Sequence, residues 1–137
     1  VDESTFWDYL RKGMKGYWHV QRHEDKLTLG IPDVSFGIGG GGGWIELKYL
    51  HEWPKMVNTV VSIDHYTSEQ RRWLRNRGRY NQNCWLFLRV GKDEFMLFDW
   101  QQAQMVGQLT KRELIVQCDH IWSGKIDFQA LVKILSS

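Results

Sequence analysis

The chain is poor in several residues whose abundance marks common architectures. Among 137 residues it has two cysteines, Cys84 and Cys118, and two prolines, Pro32 and Pro54. Two thiols without a C-x-x-C pair make no disulfide framework, so both are expected buried and reduced, as in a cytosolic protein. No apolar run approaches the ~20 residues that span a bilayer, and the first residues lack the basic-then-apolar pattern of a secretion signal. The expected location is cytoplasmic, with no membrane partner. Neither sign of charge dominates, since 18 Lys and Arg against 16 Asp and Glu leave +2 at pH 7. Affinity for a polyanion must then come from local clustering. The five histidines, His19, His23, His51, His65 and His120, fall at no zinc-ligand spacing.

What the chain does have is ring surface: eight Trp, five Tyr and six Phe. Burying them can offset the entropy of ordering, which argues against disorder. The length suits a single domain over residues 1–137. Phe6, Trp7, Leu10 and Met14 lie at helical spacing, with Ser4 placed to cap the start and Gly13 and Gly16 to stop the helix. Tyr17 to His23, Asp33 to Ile38 and Trp44 to Leu50 read as strands, the last two joined by a flexible run, Gly39-Gly40-Gly41-Gly42-Gly43. Residues 59–63 fit either a short strand or an ordered loop.

Thr67 with Gln70 is a capping box for a helix that Gly78 ends. Cys84 to Val90 is nearly all apolar, as in a strand buried on both faces, and Gly91-Lys92-Asp93 turns it into a partner, Glu94 to Phe98. The remainder reads as helices, with a capping box at Thr110 and Glu113 and a cap at Asp127 before Phe128, Leu131, Val132 and Leu135. The order is that of a mixed α/β domain.

Chemistry concentrates between Gly30 and Tyr49. Alternation along a strand puts Glu46 and Lys48 on one face and Leu47 on the other. Pro32 holds Ile31 extended, so Asp33 opens its strand at the sheet edge. Closing the glycine hairpin sets Asp33 opposite Glu46, and two carboxylates then meet beside an ammonium. Crowded carboxylates are costly unless a cation joins them, and oxygen ligands favour Mg²⁺ or Mn²⁺.

These residues resemble a known superfamily. Gly30-Ile31-Pro32-Asp33 followed by Glu46-Leu47-Lys48 looks like the PD-(D/E)XK nucleases, and Thr67 to Leu74 with Gly78 is similar to the equivalent segment of their VRR-NUC branch. The Asp33–Glu46 spacing and the acidic first helix also resemble archaeal-type Holliday junction resolvases. The resemblance covers about residues 3–90. It implies a restriction-endonuclease-like α/β core, a central mixed sheet flanked by helices, with the catalytic core at about 3–98 and a C-terminal helical part at about 99–137.

It further implies metal-dependent phosphodiester hydrolysis, with Asp33, Glu46 and the Leu47 carbonyl holding one or two Mg²⁺ ions. Lys48 would position or deprotonate the attacking water, or neutralise phosphorane charge. Glu3 matches the first-helix glutamate that completes such sites, although an acid there also suits the helix dipole; Glu24 is its weaker substitute. Gln70 would bond active-site water or substrate, unless its capping role is its only one. The long stretch between Lys48 and Thr67 departs from the pattern, as a substrate-contacting insertion or a dimer element.

Arg71, Arg72, Arg75, Arg77 and Arg79 fall within nine residues that contain no acid. Such a helix repels itself unless phosphates pair with it, which points to backbone recognition of nucleic acid. Trp53, if exposed, suits stacking on an unpaired base. The glycine run lacks a P-loop context. The reading favoured is a stand-alone, phage-type, Mg²⁺-dependent endonuclease cutting branched DNA, four-way junctions foremost, as a homodimer, in the host cytoplasm if phage-encoded. The alternatives are a nuclease of restriction, nicking or single-strand specificity, and a DNA-binding module of this fold without hydrolytic activity.

Overall fold

A computed structural model describes residues 2–24 and 27–137. The elements are α1 (Glu3–Gly13), β1 (His19–Arg22), β2 (Val34–Ile38), β3 (Gly41–Leu50), α2 (Ser68–Gly78), β4 (Cys84–Val90) and β5 (Glu94–Asp99). A 3-10 turn (Gln102–Met105), α3 (Lys111–Gln117), β6 (His120–Ser123) and α4 (Phe128–Leu135) complete them. The strands form one sheet in chain order, β1 to β6. Every pairing is antiparallel except β3 with β4. Parallel neighbours need a long crossover, and residues 51–83 with α2 supply it.

Alternation divides the apolar residues between two faces. Ile45, Leu47, Phe87, Phe95 and Leu97 pack with Phe6 and Leu10 of α1 and Leu131 and Leu135 of α4. Leu86, Leu88, Met96 and Phe98 pack on the other face with Leu74 of α2 and Leu114 of α3. Both faces of β4 are thus covered, as its continuous apolar run requires. The Cys84 thiol is buried here and pushed up to about 12 by desolvation, which keeps it an unreactive thiol.

Local signals in the sequence mostly place the elements well. Thr67 and Gln70 make a reciprocal capping box on α2, as Thr110 and Glu113 do on α3. Asp127 caps α4 through the Ala130 N–H. The first helix begins earlier than Ser4 suggests, because Asp2 accepts the Thr5 N–H while the Thr5 hydroxyl accepts the Asp2 N–H. Hydrogen bonds from Thr5 hold the Asp2 carboxyl below its usual range.

Two expectations fail. The glycine run is not a flexible connection: Gly39 (φ 53°) and Gly40 (φ 82°) alone form a two-residue turn, and Gly41, Gly42 and Gly43 are inside β3. Positive φ at both central residues matches the tight turn that the strand twist favours. The C-terminal part is not wholly helical, since His120–Ser123 pairs with β5 and closes the sheet. This short strand alternates half-buried and exposed residues on an edge, so it carries little apolar signal.

α2 ends at Gly78 as the sequence suggests, though not through a left-handed glycine. The cap residue Arg79 is right-handed, and a Cβ on Gly78 would lie 2.2 Å from Cγ of Trp100. Close helix approach is the reason for glycine. On an exposed helix Gly→Ala stabilises by up to about 1 kcal/mol. Here the sign reverses: Gly78→Ala is expected to cost about 1–3 kcal/mol by overpacking in urea unfolding.

Candidate active site on the face covered by α2

β2 and β3 pair as far as Val34 and Ile45, so continuing the register sets Asp33 opposite Glu46. Beyond that point β3 runs on to Leu50 without β2 beside it. The Leu47 N–H left at this edge donates to Oδ2 of Asp33 at 2.8 Å. In a strand ladder the N–H and C=O of one residue point to the same neighbour. The Leu47 carbonyl therefore faces the side where the Asp33 carboxylate sits.

Glu46 and Lys48 project to the α2 face as their spacing predicts, and both are buried, with side chains 1% and 4% exposed. Lys48 Nζ lies 3.5 Å from Glu46 Oε1 and donates to the His65 carbonyl at 2.9 Å. The Tyr66 ring lies 5.9 Å from the same amine. Gln70 does two jobs at once. Its Oε1 accepts the Thr67 N–H in the capping box, and its Nε2 donates to Glu46 Oε1 at 3.3 Å. The cap fixes the rotamer that lets the amide reach the carboxylate.

The segment between Lys48 and Thr67 is a packed strap. Val61 donates to the Leu109 carbonyl, Val60 bridges Thr110, and the buried Tyr66 hydroxyl donates to the Ala103 carbonyl. Burial raises the Tyr66 hydroxyl far above its usual range, so it remains a neutral donor. The strap ends at His65, whose φ of 64° is the only positive value for a non-glycine residue among those described. That backbone conformation costs energy in most residues, and here it aims the carbonyl at Lys48. The sequence carries no signal for this role, because any residue supplies a carbonyl.

Glu3 enters the site from the N-terminus of α1. Its carboxyl is raised above 4.5, first by desolvation, then by the Asp33 charge, with Lys48, Arg22 and His65 opposing. It is therefore within electrostatic range of the cluster. Among the described residues no three of His, Cys, Asp and Glu converge closely enough to hold one ion. The oxygen set offered to a metal is the pair Asp33 and Glu46 with the Leu47 carbonyl. That set suits Mg²⁺, which is commonly bound by one or two carboxylates and completed by water and substrate phosphate. Glu24 is exposed beyond β1.

The arginines separate. Arg71 turns inward, donating to the carbonyls of Tyr66 (2.9 Å) and Val106 (2.6 Å) with its guanidinium 4.0 Å from the Tyr66 ring. It fastens α2 to the strap and is not a free phosphate ligand, a correction to the sequence reading. Arg72, Arg75, Arg77 and Arg79 are exposed. Trp53 is likewise not available: it is half-buried, with Nε1 donating to Glu94 and Lys111 over its ring. His23 and His65 border the site. The ring of the first stacks on Trp44 at 5.2 Å, and the His23 backbone N–H donates to the Asp33 carbonyl.

This is a mixed α/β fold, a six-stranded sheet carrying helices on both faces. No protein-family model matches the chain, and no curated protein matches it. Among solved structures it is similar to Hjc, a Holliday junction resolvase from the archaeal hyperthermophile Archaeoglobus fulgidus. The two share 18% identity over 72% of this chain and 78% of that one, with a TM-score of 0.51. The likeness is one of fold.

Two stability measurements test the site's construction. Lys48→Met leaves Glu46 buried without its ammonium and is expected to cost about 3 kcal/mol, whereas the double change Glu46→Leu with Lys48→Met restores most of that loss. An equal loss in the double variant would deny the pair its electrostatic character. The Glu3 shift has a definite sign. A carboxyl raised above its unfolded value binds its proton more tightly when folded, so its ionisation costs stability as pH rises from about 4.5. In metal-free buffer Glu3→Gln is expected to melt above the native chain at neutral pH, with the difference vanishing at about pH 4.

Proposed function

We propose that the chain is a metal-dependent endonuclease of the PD-(D/E)XK kind that hydrolyses phosphodiester bonds in branched DNA, four-way junctions foremost. The observation that carries this reading is the Asp33 carboxylate on the Leu47 N–H, between Glu46 and Lys48 on adjoining positions of one strand. The fold shared with the Archaeoglobus resolvase supports it.

Asp33, Glu46 and the Leu47 carbonyl would hold Mg²⁺, with Mn²⁺ as a substitute. Such an ion polarises the phosphate and lowers the pKa of a bound water. Lys48 pairs with Glu46 at 3.5 Å and donates to the His65 carbonyl, and an ammonium has three N–H groups, which leaves donor capacity for a water or a phosphate oxygen. With its amine anchored at two points, Lys48 positions water and neutralises charge. Gln70 keeps the Glu46 carboxylate in place. The exposed arginines of α2 meet the phosphate backbone. Symmetric cutting of a four-way junction requires two sites about a two-fold axis, hence a homodimer.

Cleavage of nicked, linear, flap and four-way DNA with Mg²⁺ tests this. The junction is expected to be cut preferentially, and Asp33→Asn and Lys48→Ala each to lose roughly 10²-fold or more in rate. Equal cutting of the four substrates removes the junction assignment, and full activity in Lys48→Ala removes the catalytic one. Arg72→Ala and Arg75→Ala are each expected to lower the salt dependence of binding by about one contact, whereas Arg71→Ala lowers the melting temperature instead.

A further inference from the structure

The wall between β3 and α2 carries a feature that hydrolysis does not use. Trp44 lies two residues before Glu46 on the same face of β3, about 7 Å along the strand. Trp73 follows Gln70 by one helical turn. The two indoles meet edge to face with centroids 4.8 Å apart. His23 stacks on Trp44 at 28°, its ring held by the contact of Nε2 with Ser35 Oγ at 2.9 Å. The inner edges of both indoles pack against the core. Their outer side is covered by an exposed cation, since the Arg77 guanidinium lies 4.7 Å from Trp73 and 5.3 Å from Trp44.

Core packing accounts for the buried edges but not for a charged cover over half-buried rings. An exposed cation–π contact is weaker than a nucleobase stacked on an indole, and a guanidinium binds phosphate more strongly than it binds a ring. No acidic residue occurs between Glu69 and Asp93, so nothing on α2 beyond its first turn repels a polyanion.

We propose that Trp44, Trp73 and His23 form a stacking platform for one unpaired nucleobase, adjacent to the nucleotide whose phosphate lies at Asp33 and Glu46. Arg77 is the residue that gives way: it leaves the indoles for the phosphate of the stacked nucleotide. A paired base has both faces covered by its neighbours, so the platform takes bases only where a strand is unstacked, as at a branch point, flap or gap. The proposal rests on the nuclease reading for its placement and extends it to a structural reason for preferring branched DNA over plain duplex.

The test is a binding measurement in EDTA, where no metal-dependent cutting occurs. Fluorescence anisotropy compares a duplex bearing a short unpaired flap with the same DNA whose flap is abasic, at equal charge. The abasic flap is expected to bind about tenfold more weakly. Trp73→Leu should bring that ratio close to one, and Arg77→Ala should keep the ratio while lowering the salt dependence by about one contact. Equal affinity of the native chain for the two DNAs overturns the platform, whatever the variants do. A folded Trp73→Leu chain that keeps the tenfold ratio overturns it too. Because metal is absent, a failed ratio leaves the nuclease reading to be judged by Mg²⁺-dependent cleavage. A native chain that discriminates the flaps but cuts nothing keeps the platform and loses the nuclease. Failure to bind either DNA overturns the platform and leaves the nuclease reading to the cleavage assay.

Discussion

The charge pair Glu46–Lys48 is the constraint around which one half of the molecule is arranged. Both groups occupy inward positions of β3, on a face whose other members are Leu86, Leu88, Met96 and Phe98. Charges in such surroundings are tolerated only when they are paired and their remaining hydrogen-bonding capacity is met. The neighbouring elements meet part of it in distinct ways. α2 contributes the Gln70 amide, and the strap contributes the His65 carbonyl in a backbone conformation that most residues avoid. Each contact fixes one member of the charge pair in place.

Placement of Asp33 follows from a different fact, the unequal lengths of two paired strands. β2 stops at Val34 while β3 continues, so one edge of β3 presents backbone groups with no strand to receive them. A carboxylate accepting one of those N–H groups satisfies the edge and brings a second negative oxygen set beside Glu46. The same geometry leaves a carbonyl on the open edge. An incomplete ladder thus makes the proposed ligand set, and the opposite face of the sheet, filled by Phe6, Phe87 and Phe95, packs beneath β3.

α2 shows how one helix divides its work. Gln70 faces the carboxylate, Leu74 the core, and Arg71 the carbonyls of Tyr66 and Val106, while Arg72, Arg75 and Arg79 stay in solvent. Arg77 lies on the indoles of Trp44 and Trp73. Five similar side chains in nine positions therefore have three different environments. Sequence composition treats them alike, and only their phase around the helix and what that phase meets separates them.

Much of the site was nonetheless legible. Period-two alternation dictates that Glu46 and Lys48 share a face, and a hairpin closed by glycine dictates that Asp33 comes opposite Glu46. The Thr67–Gln70, Thr110–Glu113 and Asp127 caps are local too, because a cap joins residues three apart. These features arise from covalent geometry and near-neighbour hydrogen bonds, so the sequence by itself determined them. It did not determine β6, the burial of Trp53, the inward turn of Arg71 or the carbonyl that holds Lys48. Those depend on partners distant in the chain: Lys48 and His65 are 17 residues apart, Arg71 and Val106 are 35, and Trp53 and Glu94 are 41. Tertiary packing alone decided them, since a contact across such separations exists only once the sheet and its two covering layers bring the chain together.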